Sequence, residues 1–232
     1  MSSLPIRVSK NDGEKLMGRT VDIAVGPQGE ISSVHEKLIR KSSPFFDKAL
    51  SGAWQESRER TVRLPEDEPE IFAIYVHWLY YGTVPVVCDE TVEMKGVEYL
   101  NLAKAYTLGD KLMDVGFQDA TIDAIVDASQ VGLADGSLWY PGMQIVQYVY
   151  HNTKESASIR TMLVDMFLMA GTGTWLRETK DRSTVPQPFL FELAAELLDL
   201  RGGIRSTIEP SKYHIHGSND ALKEESTEKE GP

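Results

Sequence analysis

The sequence predicts an α+β fold in which helices dominate, followed by an all-helical C-terminal region. Three observations predict it. Apolar residues alternate at Val21, Ile23 and Val25, and again at Val62 and Leu64, with the period of two of a half-buried strand. Two helix starts stand back to back in Val34-His35-Glu36-Lys37-Leu38-Ile39-Arg40-Lys41-Ser42-Ser43-Pro44-Phe45-Phe46. From residue 140 onward the apolar residues recur only at helical spacing, and short strands mixed with helix pairs in the preceding segment complete the α+β pattern.

Each element has a local cause. After Val25, Gly26-Pro27-Gln28-Gly29 turns the chain toward Ile31, which predicts a β-hairpin. Ser33 and Glu36 stand at capping-box spacing, so a short helix over residues 34–40 is expected. Ser43 before Pro44 is a second start, an N-cap followed by proline where its missing N–H costs nothing. That helix carries Phe45, Phe46, Ala49 and Leu50, and Gly52 ends it. Thr61-Val62-Arg63-Leu64 is the next strand, and Pro69 opens a helix stopped by Gly82, with Ile71, Phe72, Tyr75, Trp78 and Leu79 on one face. Further apolar stripes follow at Tyr99, Leu102, Ala103 and Tyr106, and at Met113, Phe117, Ala120 and Ala124.

The character changes after Asp127, where Gly132, Gly136, Pro141 and Gly142 form a loop-rich joint. Beyond it Ile159, Met162, Leu163, Met166, Phe167 and Ala170 mark an amphipathic helix closed by Gly171 and Gly173. Leu190, Leu193, Ala194, Leu197 and Leu198 mark another, closed by Gly202-Gly203. The expected organisation is an N-terminal arm at 1–19, an α+β domain at 20–128, a helical region at 129–205 and a disordered acidic tail at 206–232.

Composition narrows the function. The formal net charge is −11, with 35 acidic against 24 basic side chains. Such a field repels phosphate backbones, and Arg58, Arg60 and Arg63 sit among Glu56, Glu59 and Glu66 instead of forming a basic patch, so no nucleic-acid partner is expected. Residues 1–10 lack an apolar segment of signal-peptide length, and no run reaches the length of a membrane span. A soluble protein of cytoplasm or nucleus is the expectation. The single cysteine, Cys88, cannot form an intramolecular disulfide and reads as a small buried hydrophobe.

Catalytic and ligand-binding patterns do not assemble. The five histidines are His35, His77, His151, His214 and His216; only the last two are close in sequence, and no cysteine pair accompanies them, so no metal site is expected. Gly171-Thr172-Gly173-Thr174 follows a helix and has no Lys-Ser/Thr after it, so it reads as a helix cap and turn, not a phosphate loop. The run Glu66-Asp67-Glu68-Pro69-Glu70 reads as an acidic first turn favoured by the helix dipole. His35 reads as a hydrogen-bonded structural histidine, with Asp22 as its expected partner. No catalytic residue, cofactor or small-molecule substrate is predicted.

Taken together in order, Asp22, the 34–39 segment, Ser42-Ser43-Pro44-Phe45-Phe46, Leu64-Pro65-Glu66-Asp67, Leu79-Tyr80-Tyr81-Gly82 and Ala103-Lys104-Ala105-Tyr106-Thr107-Leu108 resemble the BTB/POZ domain family over roughly residues 20–127. The helical region with Trp175-Leu176 is similar in style to short BTB proteins of fungi. The resemblance implies a small sheet capped by helical hairpins that makes protein–protein contacts by self-association and, in many members, by docking the N-terminal domain of a cullin for ubiquitin ligase assembly. It makes Asp22, His35, Ser43, Phe46 and Gly82 structural family positions.

Cullin-binding members carry a hydrophobic-x-Glu motif after the helix that ends near Gly52, and Trp54-Gln55-Glu56 fits it. The resemblance implies that Trp54 fills an apolar pocket on the partner, that Glu56 accepts a charge-assisted hydrogen bond, and that Tyr106 lines the same face. The alternatives are Trp54 packed on its own domain, Glu56 solvated and Tyr106 in the core. Residues 1–19 are short beside the swapped N-terminal helix of dimeric members, with only Glu14-Lys15-Leu16-Met17 as a helix candidate. The expected function is a protein-interaction module, an adaptor of a cullin-based ubiquitin ligase or, alternatively, an oligomerisation scaffold or transcription-associated regulator that does not touch cullin.

Overall fold

A computed structural model describes residues 9, 13, 16–51, 59–87, 92–132 and 136–200. Its sheet has three strands in the order β2-β1-β3: β1 Thr20–Val25, β2 Glu30–His35 and β3 Thr61–Leu64. β1 and β2 form the expected antiparallel hairpin, Val25 opposite Glu30 and Thr20 opposite His35. β3 runs parallel to β1, with Ile23 beside Val62 and Val25 beside Leu64. The alternation that marked these strands places Val21, Ile23, Val25, Val62 and Leu64 in the core. Gly26 has a φ of +76°, and a Cβ on it would stand 3.2 Å from Pro69 Cγ, so the turn needs glycine for two reasons.

The capping box does not form. β2 continues through Val34, which pairs with Val21, and the helix that follows it, α1, spans Glu36–Ser42 with His35 at its N-cap. A buried Val34 in a ladder outweighs one side-chain cap. Ser33 instead donates to Asp22 Oδ1 at 2.6 Å. The second start behaves as the spacing predicts: α2 spans Pro44–Leu50, and Ser43 Oγ accepts the Phe46 N–H at 3.2 Å.

Helix α3 spans Pro69–Tyr81 and stops at Gly82, whose φ of +69° and N–H bond to the Trp78 carbonyl (2.8 Å) make a left-handed cap. Ile71, Phe72, Ile74 and Tyr75 are buried; Trp78 and Leu79 are half-buried. Helix α4, Val92–Leu112, packs along α3 and along α5, Val115–Gln130. Tyr99, Leu102, Ala103 and Tyr106 are its buried face. In α5 the buried stripe is Phe117, Thr121, Ile125 and Ala128, because Met113 lies outside the helix with a φ of +57° and is 59% exposed. Asp67 and Glu68 do more than favour a helix dipole: they pair with Lys111 and Lys104, each at 2.6 Å, and tie the start of α3 to α4.

The C-terminal helices are α6 Met143–Asn152, α7 Ser158–Ala170, α8 Gly173–Arg177 and α9 Gln187–Leu200, with a 3-10 turn at Arg182–Thr184. α6 packs against both α4 and α7. Gly171 caps α7 by an N–H bond to the Phe167 carbonyl, 2.9 Å. In α9, Phe189 and Leu193 are buried, whereas Leu190, Leu197 and Leu198 of the predicted stripe are exposed, so of that stripe only Leu193 reaches the core. One apolar cluster includes Val21 of the sheet, Leu102 of α4, Val149 of α6 and Leu163 of α7. Contacts divide the chain into one unit, Met1–Ala194, and a second from Ala195. Gly52, Trp54, Glu56, Arg58, Cys88, Gly202, Gly203, His214, His216 and the 206–232 tail lie outside the described residues, as do Glu14 and Lys15.

Candidate protein-interaction surface

The framework that carries the surface is a buried polar knot. Asp114, at the N-cap of α5, accepts from Phe117 N–H at 3.1 Å through Oδ1. Its Oδ2 accepts from Ser42 Oγ at 2.5 Å and from Tyr75 Oη at 2.9 Å. Beside it Ser43 Oγ donates to the Leu112 carbonyl at 2.6 Å while accepting from Phe46 N–H. Helices α1, α3 and α5 are thereby joined by two hydroxyls on one carboxylate, with Ser43 linking α2 to α4 beside them; burial first, then the Asp114 charge, pushes the Tyr75 hydroxyl well above its ordinary range. Phe46, fully buried, meets Phe72 edge-on at 6.4 Å. The predicted family positions Ser43 and Phe46 belong to this knot; Asp114 was missed, although an aspartate just before the Phe117 stripe is itself an N-cap signal.

His35 pairs with Tyr80, not with Asp22. The Tyr80 oxygen accepts the His35 backbone N–H at 3.1 Å and lies 2.7 Å from Nδ1. We assign its hydroxyl proton to Nδ1, which places the ring proton on Nε2. The correction follows from register, since His35 stands opposite Thr20 and Asp22 opposite Ser33. Next to it Glu36 takes Arg60 at 2.5 Å and Arg40 at 3.1 Å, and Arg40 reaches Asp47 at 2.8 Å. The Arg60 hydrogen bond holds the Glu36 carboxyl below the usual range, against an opposing effect of burial and with Arg40 assisting.

Two grooves open on this framework. One, about 460 Å³, lies between α2 and β3, where Phe45, Ala49, Val62 and Met113 form an apolar floor flanked by Lys48 and Arg63. The link carrying Trp54-Gln55-Glu56 joins these same two elements. The other, about 750 Å³, lies between α1 and α3 and includes Leu16, Leu38, Trp78 and Tyr81, the last 71% exposed. Tyr106 is 5% exposed and packs in the core from α4.

Among the described residues no three His, Cys, Asp or Glu side chains are grouped to hold a metal ion, and no helix is long and apolar enough to cross a membrane. His151 lines a cavity of about 810 Å³ with Gln147 and Tyr148, and no carboxylate lines it to orient the imidazole. Residues 14–114 match the family model of the BTB/POZ domain, a match that includes the sheet, helices α1 to α4 and Asp114. No curated protein matches the chain.

Proposed function

We propose, from the premise that residues 14–114 are a BTB/POZ domain, a kind of module that generally binds proteins and is not an enzyme, that this chain is an adaptor that docks the N-terminal domain of a cullin. The observation that carries the proposal is the coincidence of Trp54-Gln55-Glu56 with the link between α2 and β3, the two elements that wall an apolar groove with basic flanks. Such a floor suits an apolar helix face from a partner, and Lys48 and Arg63 suit acidic residues beside it. Trp54 supplies the hydrophobic anchor and Glu56 the charge-assisted acceptor. Tyr106, being buried, contributes by fixing α4 and not by direct contact. The helical region after residue 130 either extends that contact or captures the target, in cytoplasm or nucleus.

The test is a pull-down with a purified cullin N-terminal domain. Wild type is expected to bind; Trp54→Ala/Glu56→Ala is expected to lose ~2 kcal/mol or more, about thirtyfold, with an unchanged melting temperature. Equal retention of the double variant removes the motif from the account.

A second reading has its own observation. Tyr81, Leu16 and Trp78 on the α1/α3 groove present large apolar groups that suit self-association without cullin. Light scattering then reports a dimer or larger, and Tyr81→Glu returns the mass to that of one chain.

A further inference from the structure

The C-terminal region holds an aromatic concavity that the proposed adaptor role does not use. The extended segment before α6 is pinned to α4 by a bond from Tyr99 Oη to the Trp139 carbonyl, 2.6 Å. Opposite it, α8 presents Trp175. That indole stands perpendicular to the buried Phe167, with centroids 5.0 Å apart, and tilted against Tyr140 at 6.0 Å. Trp139, Tyr140, Met143, Phe167, Trp175 and Glu178 line a cavity of about 380 Å³. Trp139, Tyr140 and Trp175 are each only half-buried, so core packing leaves part of three large rings to solvent in one concavity.

The electrostatics of the cavity have one sign. Aromatic faces carry the negative end of the ring quadrupole, and Glu178 adds a full negative charge at the rim. The basic neighbour Arg177 turns its guanidinium onto Gly173, 3.0–3.2 Å from a Cβ position there, and does not line the cavity. Anions are repelled both locally and by the formal net charge of −11. A primary ammonium ion would surrender strong hydration to rings that donate and accept few hydrogen bonds. A methylated ammonium ion spreads its charge over methyl groups that can lie on those faces, and the volume admits such a head with part of its chain. Phe167 fixes the Trp175 ring in advance, so little order is lost on binding.

We infer that this cavity binds a quaternary, methylated ammonium group, either as a free choline-type ion or on a trimethylated lysine of a protein tail. The experiment is titration of the full chain, followed by calorimetry and by indole NMR shifts, with four ligands: choline, its uncharged isostere 3,3-dimethylbutan-1-ol, a trimethyllysine peptide and the same peptide with unmodified lysine. Choline or the trimethyllysine peptide is expected to bind at least about tenfold more tightly than its uncharged or unmethylated counterpart. Preference for the peptide over choline identifies a protein tail as the source, and the reverse identifies a free ion. Trp175→Ala abolishes binding; Glu178→Gln, an exposed change that spares packing, weakens it several-fold. Equal affinity for choline and the isostere reduces the cavity to a plain apolar pocket and overturns the inference, as does saturation by neither cation, or binding unmoved by Glu178→Gln and Trp175→Ala alike.

Discussion

Asp114 is 2% exposed, and its carboxylate is held by Ser42, Tyr75 and the Phe117 N–H. Removing it leaves the buried Tyr75 hydroxyl, the half-buried Ser42 hydroxyl and a helix N-terminus without their acceptor. Asp114→Ala is therefore expected to cost about 3 kcal/mol or more in chemical denaturation, and Asp114→Asn less, because one oxygen remains. Glu36 has a pH signature of the opposite visibility. Its depressed carboxyl contributes stability that is fully present above the ordinary carboxylate range and is lost as pH falls through its lowered folded value. Glu36→Gln is expected to cost at most about 1 kcal/mol at pH 7, since the pair is partly solvated, and to match wild type in strong acid. Unfolding curves from pH 7 to 2 check this. Legibility at this scale was uneven. The Ser43 cap on Phe46 was visible because it is made within three residues, whereas the Ser43–Leu112 bond and the His35–Tyr80 bond span 69 and 45 residues and depend on how the helices dock.

Elements were legible where their ends are set by their own residues. Proline after Ser43, proline at 69 and glycine at 82 each fall where the helix boundary does. The predicted 34–40 helix failed at its start because pairing with Val21 extends β2, and strand pairing is not visible in a local window. α6 shows a boundary set from a distance. Arg160 of α7, buried and without a carboxylate partner among the described residues, donates to the Tyr150 and Thr153 carbonyls and to Thr153 Oγ1 at 3.0 Å, and lies 4.5 Å above the Tyr150 ring. Its positive charge thus sits at the negative end of α6. Arg160→Ala is expected to cost about 2–3 kcal/mol and to speed hydrogen exchange in the last turn of α6. Arg160→Lys recovers little of this, because a point charge cannot bridge the carbonyls and stack on the ring together.

At the scale of the whole molecule, the apolar cluster runs from the sheet into α6 and α7 without interruption. Tyr99 of α4 ends on the Trp139 carbonyl, and Thr107 of α4 meets Tyr148 of α6 at 3.0 Å. The family-matched segment therefore shares its core with the helices that follow. Melting of the full chain is expected to be one cooperative transition, and a truncation after Gln130 to melt lower and to bind a hydrophobic dye, since it bares the α4 face that α6 covers. Sequence patterning showed that the second half is helical; it could not show that this half completes the first, because nothing in a periodicity says which face meets which.

Hydrogen–deuterium exchange of the full chain, with and without a cullin N-terminal domain, reads whether the surface around α2 and β3 is the one that a partner covers. Protection over residues 44–64, with the α1/α3 groove unchanged, is the predicted result. Protection confined to α1 and α3, or none at saturating partner, contradicts it.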